Sequence, residues 1–245
     1  MNQLTIDLNA DLGEGYPFDA ELMKVVTSSN ICSGAYIDDA APVRKAISLA
    51  IDAGVRIGIH VGYPDIENFG RRAGYQSPKA FESSLQRQVD QFLEMAVIKD
   101  AAVQYLKPHG ALYHDLIPES DLWEILLKVC DMHKWPLLHL AHSDILSVAA
   151  TVTGAFHEAF VDRRYASAQA LIDRSAKGAV LTDSEEVLAQ AVSLVNGEVA
   201  LQDGTTIQLT AQSLCLHGDT EGALFLGQRI RTGIEDADFN IEPFL

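Results

Sequence analysis

Short apolar segments that contain β-branched residues alternate along the chain with longer segments whose apolar residues recur at helical spacing. The short segments predict strands, and the longer ones predict amphipathic helices. The predicted strands are 4–9, 25–32, 55–62, 103–110, 135–141, a strand beginning at 156, 178–183 and 213–219, with a hairpin at 198–209 around Asp203-Gly204. The predicted helices are 40–54, 77–99, about Pro118 to His133, 143–154, 184–197 and 220–234.

Strand and helix alternate about seven times, a pattern typical of parallel strands joined by helical crossovers. No linker rich in Pro, Gly or Ser interrupts the pattern, so we predict a single domain over residues 1–245. The number of units favours an α/β fold of the closed-barrel type, a distorted (β/α)7 barrel. Periodicity by itself also fits an open doubly wound sheet, which is the alternative.

Composition narrows the classes of partner. Hydrophobic residues make up 48% of the chain, which is enough to fill a sizeable core. Acidic residues outnumber basic ones by 34 to 18, and the resulting net charge of -16 repels polyanions, so we expect no nucleic-acid partner.

The three cysteines do not suggest a disulfide framework. Without a basic-then-apolar N-terminus or a run of about 18 apolar residues, the expected location is the cytoplasm, with no membrane contact.

Polar residues recur where the predicted strands end. They are Asp7, Asn9, Asp11, Glu14, Asn30, His60, Lys107, His109, Glu158, Asp162, Arg163, His217 and Asp219. In both α/β architectures the functional site lies at the carboxyl ends of the strands, so we expect these side chains to share one pocket. Burying so many ionisable groups unpaired is costly, whereas grouped they pair and shift one another's pKa values.

Each of these residues also has a purely structural interpretation. Asp7 and Asn9 alternate with apolar residues, which fits one polar face of a strand. His60 lies in an apolar run, where a hydrogen-bonded core histidine is an equally good interpretation, and His139 fits that interpretation better still. The histidines in polar or helical contexts are not assigned to the pocket; they are His114, His133, His142 and His157.

The residue types in this set suit acid–base chemistry on a small molecule. Histidines transfer protons near neutral pH, and carboxylates orient or activate water. Lys107 and Arg163 suit a carboxylate or a phosphate. Three histidines with carboxylates allow a divalent metal, but HExxH, HxxxH and CxxC are absent, so the metal signal is weak. GxxxxGK[ST], a dinucleotide GxGxxG and GxSxG are absent too, so nothing indicates that this chain itself binds a nucleotide.

Seven segments between Ile6 and about Ile234 form a recognisable series: DLNADLGEG (7–15), SSNICSG (28–34), YPDIENFGRR (63–72), KPHGALY (107–113), FVDRRY (160–165), DRSAKGAVL (173–181) and CLHGDT (215–220). Together they resemble the LamB/YcsF family, the A subunits of bacterial 5-oxoprolinases. The resemblance implies a seven-stranded β/α barrel related to polysaccharide deacetylases. It also implies ATP-dependent opening of the 5-oxoproline (pyroglutamate) lactam to L-glutamate. The B and C subunits, which use ATP to activate the lactam, are the implied partners, and a homo-oligomer is left open.

The resemblance also implies a set of site residues. The catalytic set is Asp11, Glu14, His60, His109, His217 and Asp219. Within it we predict His109 or His60 as general acid or base, and Asp11 and Asp219 as orienting carboxylates. The predicted substrate-binding residues are Asn9, Asn30, Lys107, Asp162 and Arg163.

The chain departs from the family pattern at several positions, and the main departure lies in the second segment. The family's second segment ordinarily reads NIACGFHAGD, whereas this chain has NICSGAYIDD at 30–39, with Tyr36 in place of the histidine. Tyrosine titrates near pH 10 and is a much less common metal ligand, so Tyr36 does not simply replace a histidine. Two alternatives therefore stay open: a metal-dependent deacetylase or amidohydrolase that acts alone, and a divergent paralogue with reduced catalytic function.

Overall fold

The computed structural model describes residues 4–72, 74, 77–116, 120–220 and 222–245. The strands are β1 (Leu4–Leu12), β2 (Ser28–Cys32), β3 (Arg56–Val61), β4 (Val103–Pro108), β5 (Leu137–Leu140), β6 (Ala155–Phe160), β7 (Tyr165–Ser167), β8 (Ala170–Leu171), β9 (Glu198–Ala200), β10 (Thr206–Gln208), β11 (Ser213–His217) and β12 (Phe239–Ile241). The helices are α1 (Asp19–Leu22), α2 (Ala41–Ala53), α3 (Pro78–Ile98), α4 (Gly110–Asp115), α5 (Asp121–His133), α6 (Asp144–Val152), α7 (Ser184–Val195) and α8 (Ala223–Asp236).

Within these residues, seven parallel strands form a closed barrel in the order β1-β2-β3-β4-β5-β6-β11, and β11 closes it by pairing with β1. The short β12 pairs in parallel with the start of β1. Two small antiparallel sheets, β7–β8 and β9–β10, lie between β6 and β11 along the chain. The expected (β/α)7 barrel is therefore confirmed, while the single domain over residues 1–245 stays a prediction for the chain as a whole.

The helices begin and end at residues whose chemistry favours a helix boundary. Ser77 caps α3, because its side chain accepts a hydrogen bond from the Ala80 amide, and Pro78 occupies the first helical position. Helix α2 ends at Gly54, whose φ of 68° lies in the left-handed region that glycine adopts without strain. On α3, Leu85 and other apolar residues are fully buried, so the helix covers the barrel with its apolar face.

Strand β1 shows how the barrel separates apolar from polar residues. Leu8 and Ala10 are buried in the hydrophobic core cluster. Asp7, Asn9 and Asp11 alternate with them and bond to side chains of other barrel strands. Because side chains alternate between the two faces of a strand, the polar face of β1 is the barrel interior. The sequence pattern predicted a polar face, and the structure places it away from solvent.

Some predicted elements differ from the observed ones. Residues 178–183 form no strand, and an isolated bridge joins Arg163 to Val180. The Leu181 amide donates to the Asp162 carbonyl, so this segment lies beside the residues that come directly after β6 and is not a barrel strand. The predicted helix start at Pro118 lies outside the described residues, and α5 begins after its cap, Ser120. The pattern missed α1, α4, β7, β8 and β12, which are too short to show a period. In the described part of the chain, no helix is long and apolar enough to cross a membrane.

Candidate active site

A cavity of about 390 Å³ opens at the carboxyl ends of the barrel strands. Its volume lies within the range of roughly 300–1,000 Å³ that proteins use for small ligands. Of the predicted site residues, those that line the cavity are Asp11, His60, Lys107, His109, Arg163 and His217. The expected convergence of residues that are far apart in sequence is therefore present in the fold.

Parallel register brings these side chains to one level of the barrel. Asp11 on β1 is aligned with His217 on β11 and with Asn30 on β2. His60 on β3 is aligned with Lys107 on β4. Residues that are paired across neighbouring parallel strands point to the same face of the sheet. The barrel strands that carry these residues therefore direct them to one interior layer. The regular geometry of the sheet therefore assembles the site.

His60 and His109 form a buried pair with an unusual arrangement of protons. His60 Nδ1 lies 3.1 Å from the Lys107 carbonyl oxygen, and His109 Nε2 lies 2.9 Å from the Phe69 carbonyl oxygen. A carbonyl only accepts, so each of these ring nitrogens carries a proton. The other two nitrogens, His60 Nε2 and His109 Nδ1, face each other at 3.0 Å. Two lone pairs repel at that distance, so the pair requires a proton or another cation between them.

Two buried carboxyl groups flank the histidine pair, and their pKa values are shifted in opposite directions. Asp11 Oδ2 lies 3.3 Å from His60 Nε2, and Glu14 Oε1 lies 3.3 Å from His109 Nδ1. Burial opposes ionisation of Asp11, but His60 and Lys107 outweigh it and hold the pKa of this carboxyl well below its usual range. Burial and the Asp11 charge raise the pKa of Glu14 well above its usual range. Such a split is the arrangement that assigns a base and an acid in many active sites.

Lys107 is a buried cation that balances two carboxylates. Its Nζ lies 2.9 Å from Asp11 Oδ1, 3.0 Å from Glu158 Oε2 and 3.1 Å from Cys215 Sγ. Burial disfavours its charge, but Asp11 and its other neighbours outweigh burial and raise the pKa of Lys107 well above its usual range. The three contacts use the three donors of the ammonium group. Direct contact of Lys107 with substrate stays a prediction, and the geometry favours charge compensation.

Asp162 holds His217 in one orientation. His217 Nδ1 lies 2.9 Å from Asp162 Oδ1, and the His217 amide and Thr220 Oγ1 donate to Asp162 Oδ2. Burial opposes ionisation of Asp162, but His217 outweighs it and lowers the pKa of the carboxyl. The carboxylate fixes a proton on Nδ1, so proton exchange with a ligand falls to Nε2. Asp162 is fully buried and does not line the cavity, so its contact with substrate stays a prediction.

Asp219 binds two arginines. Arg71 Nη2 and Arg174 Nη2 both donate to its carboxylate, the latter at 2.8 Å. Burial disfavours its charge, but His217 and Arg174 outweigh burial and lower the pKa of Asp219. Its direct partners are guanidinium groups rather than an imidazole. The structure therefore supports Asp219 as the anchor of the two arginines, and an orienting role toward a histidine stays a prediction.

Asn9 and Asn30 lie beneath the cavity. Asn30 Nδ2 donates to Asn9 Oδ1 at 2.6 Å and to Asp11 Oδ1 at 2.7 Å, and Asn30 Oδ1 accepts from Tyr105 at 2.8 Å. Asn9 Nδ2 donates to Ser213 Oγ at 2.6 Å. Both asparagines are fully buried and neither lines the cavity. Their contact with substrate stays a prediction, and the observed bonds position Asp11.

Tyr36 lies directly against the catalytic candidates. Its ring stacks on His109 with centroids 3.8 Å apart and planes 6° apart. Its hydroxyl donates to Glu14 Oε1 at 3.3 Å. Burial raises the pKa of Tyr36 well above its usual range, so the hydroxyl stays a neutral donor. The residue that departs from the family pattern therefore supports both Glu14 and His109.

Some cavity residues were not found by sequence reasoning. Arg71 and Arg174 line the cavity, and so does His114, so the prediction that left His114 out of the pocket was wrong. They belong to loops or to the short α4, whereas the prediction searched strand ends. The two arginines lie in segments that resembled the family, which was the available signal. The interpretation of His139 as a core histidine is confirmed, because its two ring nitrogens contact Ser143 Oγ and the Tyr113 carbonyl.

The histidine pair and Glu14 also satisfy the basic requirements of a metal site. Glu14 Oε1, His60 Nε2 and His109 Nδ1 all lie within 4.8 Å of one another. Two imidazole nitrogens and one carboxylate are a donor set that zinc uses in catalytic sites. The outer nitrogen of each histidine is held by a backbone carbonyl, as is usual for metal-binding histidines. The residues present therefore fit a divalent cation.

Comparison with known proteins places the chain among its relatives. The model of the LamB/YcsF family matches residues 6–245. The chain belongs to the LamB/YcsF family. Curated LamB/YcsF relatives that are named as the A subunit of 5-oxoprolinase include proteins of Streptomyces avermitilis, 38% identical over 98% of this chain and 99% of the relative, and Acinetobacter baumannii, 35% identical over 98% of each. The family expected from the sequence segments is thereby confirmed.

Solved structures show the same barrel. The lactam utilization protein of Thermus thermophilus superposes with a TM-score of 0.87 at 28% identity, covering 98% of this chain and 99% of that chain. A family 4 carbohydrate esterase from Streptomyces lividans has a TM-score of 0.52 at 10% identity, covering 98% of this chain and 92% of that chain. The second similarity concerns the fold alone. It shows that this LamB/YcsF barrel and that carbohydrate esterase share a fold.

Proposed function

We propose that the chain is the A subunit of an ATP-dependent 5-oxoprolinase, which opens the lactam of 5-oxoproline to L-glutamate together with partner subunits B and C. LamB/YcsF relatives with this name, 35–38% identical over nearly the whole chain, support the proposal. The structural observation that carries it is the cluster of Asp11, Glu14, His60 and His109 beside the cavity, in which the pKa of Asp11 is lowered and that of Glu14 is raised.

Lactam opening requires both a base and an acid. Water adds to the amide carbon and loses a proton, the C–N bond breaks, and the ring nitrogen gains a proton as it becomes the amine of glutamate. An unstrained lactam is a poor electrophile, so the partners use ATP to activate it. The task of this chain is then to deliver water and a proton, which its acidic and basic side chains suit.

His217 is the best-placed base for the attacking water. Asp162 holds the proton on Nδ1, and Nε2 belongs to a ring that lines the cavity. Among the described residues, Nε2 contacts no protein hydrogen-bonding group. A neutral imidazole held by a carboxylate accepts a proton readily, since the carboxylate stabilises the imidazolium that forms.

Glu14 and the histidine pair supply the proton for the departing nitrogen. Burial first, and then the Asp11 charge, raise the pKa of Glu14 and so favour the protonated form, which can donate. His109 stays neutral because burial and His60 lower its pKa. The proton that the pair shares lies between the two facing ring nitrogens, and Asp11 Oδ2 lies 3.3 Å from His60 Nε2. The cluster thus holds exchangeable protons next to the negative charge of Asp11, which Lys107 and Asn30 hold in place.

A divalent cation is an alternative occupant of the same cluster. Glu14, His60 and His109 would hold it. A bound cation would polarise the amide carbonyl and make a bound water more acidic. A proton between the two imidazoles removes the repulsion of their facing lone pairs just as a metal cation would. The proposed acid–base roles of the chain's own residues therefore do not depend on a metal.

The proposal includes a cytoplasmic location. ATP-consuming partners and three buried thiols, Cys32, Cys130 and Cys215, support it, because thiols persist in reducing compartments.

Reconstitution with the B and C subunits tests the function. Glutamate and ADP are measured from 5-oxoproline and ATP, with each component omitted in turn. We expect glutamate only when this chain, both partners and ATP are all present. Glutamate formed by the chain alone would instead identify an amidohydrolase that acts without partners. No glutamate from the complete complex would contradict the proposal.

A further inference from the structure

Phe69 holds a backbone conformation that a bulky residue rarely adopts. Its φ is 55°, in the left-handed region where the Cβ atom crowds the backbone. The residue is half-buried in the loop between β3 and α3, and it does not itself line the cavity. Such strain persists only where the surrounding structure fixes the conformation, and it is common at functional sites. The conformation therefore calls for an explanation beyond the connection of β3 to α3.

Hydrogen bonds of the next residue, Gly70, fix this turn on both sides. The Gly70 amide donates to the Asp65 carbonyl at 2.8 Å, which closes the turn. The Gly70 carbonyl accepts from the Ala111 amide at 3.0 Å, which ties the turn to α4. Because α4 begins directly after its cap, His109, the turn and this histidine belong to one connected unit. These bonds hold the Phe69 carbonyl in one direction.

The direction of the Phe69 carbonyl decides which nitrogen of His109 carries a proton. The carbonyl oxygen lies 2.9 Å from His109 Nε2. Since a carbonyl can only accept, it requires a proton on Nε2 and leaves Nδ1 to face His60 Nε2 at 3.0 Å and Glu14 Oε1 at 3.3 Å. Tyr36 stacks on the same ring, with centroids 3.8 Å apart. The carbonyl therefore holds the ring in its plane, and Tyr36 holds it across its face.

We propose that Phe69 is a positioning residue for ring opening, whose left-handed backbone aims its carbonyl at His109 Nε2 and so keeps Nδ1 turned toward His60. A backbone carbonyl on the outer nitrogen of a histidine fixes its tautomer and its orientation. Phe69 acts through His109 and does not touch the reacting atoms. The same tautomer suits a proton or a metal cation between the two rings, so the role holds for either occupant. The inference rests on the proposed function, because the reaction served is the lactam opening assigned to this histidine pair.

Phe69→Asn and Phe69→Val separate the role of the backbone from that of the side chain. Both variants remove the ring, whose centroid lies 5.4 Å from that of His109 and 5.0 Å from the Arg71 guanidinium. Asparagine adopts a left-handed φ readily, whereas β-branched valine does not. In the complete complex we expect kcat for glutamate formation to be about tenfold or more lower in Phe69→Val than in Phe69→Asn, with similar KM. Equal kcat values in the two variants would overturn the positioning role.

The ring nitrogens of His109 give a second readout, which a loss of stability alone would not change. Nitrogen NMR spectra of the isotope-labelled full chain show which ring nitrogen carries a proton, and the His109 signals are identified by their absence in His109→Asn. We expect Nε2 to carry a proton in the wild type and in Phe69→Asn, and to lose it at least in part in Phe69→Val. A proton that stays on Nε2 in Phe69→Val, or that leaves it in Phe69→Asn, would overturn the proposal.

The remaining outcomes are decisive as well. If Phe69→Val unfolds before the assay, Phe69→Gly is measured beside Phe69→Asn, because glycine adopts the same φ without strain. Both variants should then keep the proton on His109 Nε2, and its loss in these folded variants would overturn the proposal. A wild-type complex that forms no glutamate would overturn the proposed function and, with it, ring opening as the reaction served. The NMR comparison would still decide whether the Phe69 carbonyl fixes the His109 tautomer.

Discussion

The barrel contains two polar regions that use their hydrogen-bonding groups differently. In the inner layer, Asn9, Asn30 and their neighbours bond to other side chains of the barrel. On the cavity wall, Arg163 Nε and His217 Nε2 have no partner among the residues that the structure describes. Satisfied groups fix geometry, whereas unsatisfied groups beside a cavity are available to a ligand. The comparison separates residues that position the site from residues that act on substrate.

Loss of the inner-layer cation should produce the largest change in stability. In Lys107→Met, Asp11 and Glu158 remain buried without their counter-charge, and we expect a loss of about 3–5 kcal/mol in the free energy of unfolding. Urea denaturation measures this. Lys128→Met, which removes an exposed partner of Glu82, should cost far less, because solvent screens an exposed ion pair. Equal losses in the two variants would show that Lys107 does not balance buried charge.

Substitution of Asp162, which is buried behind the cavity wall, should reduce activity with little effect on substrate binding. In Asp162→Asn, the amide can donate to His217 Nδ1, which moves the ring proton to Nε2 and removes the acceptor. We expect kcat for ring opening to fall by about 10²–10⁴-fold while KM stays nearly constant. Steady-state glutamate formation by the complete complex measures both constants. A rise in KM with an unchanged kcat would mean that Asp162 serves substrate binding, as the sequence first suggested.

Asp7, in the inner layer, should make stability depend on pH. Burial raises its pKa from 3.8 to about 6, so the folded chain holds this proton more tightly than the unfolded chain. The stabilising contribution is complete below pH 4 and is lost as pH rises through 6, a loss of about 3 kcal/mol. Asp7→Asn should remove this dependence. Between pH 4 and pH 7, we expect the wild type to lose about that amount of unfolding free energy relative to the variant. A constant difference would contradict the assignment.

A packing contact beneath the site should give a smaller effect. A Cβ added to Gly58 would lie 2.2 Å from the ring of Tyr105, which donates to Asn30. Gly58→Ala should therefore destabilise the fold by about 1–3 kcal/mol through overpacking. Gly74→Ala is the comparison, since among the described residues that are not its chain neighbours the nearest atom to a Cβ there is the Arg72 carbonyl oxygen at 3.9 Å. Thermal melting of both variants checks this, and equal melting temperatures would count against the packing of Tyr105 on Gly58.

Regular parts of the molecule were predictable from sequence, and loop parts were not. Asp11, His60 and Lys107 were found because strand alternation and parallel register are local rules. Arg71 reaches the cavity through a tertiary contact: Gly110, with φ of 57°, packs so closely that a Cβ would lie 2.5 Å from the Gly70 carbonyl oxygen. No local pattern encodes that approach. The sequence could not show that Asn30 is saturated by its neighbours, because hydrogen-bond capacity is decided by the partners that the fold supplies.

The most direct test of the central claim is glutamate formation by the complete complex containing His109→Asn. Asparagine cannot transfer the proton that the pair with His60 shares, so we expect kcat to fall at least about 100-fold. His142→Asn is the matched control, because His142 is exposed and does not line the cavity, and its kcat should stay at the wild-type value. A His109→Asn complex that turns over as fast as wild type would contradict the assignment of this cluster as the centre of ring opening.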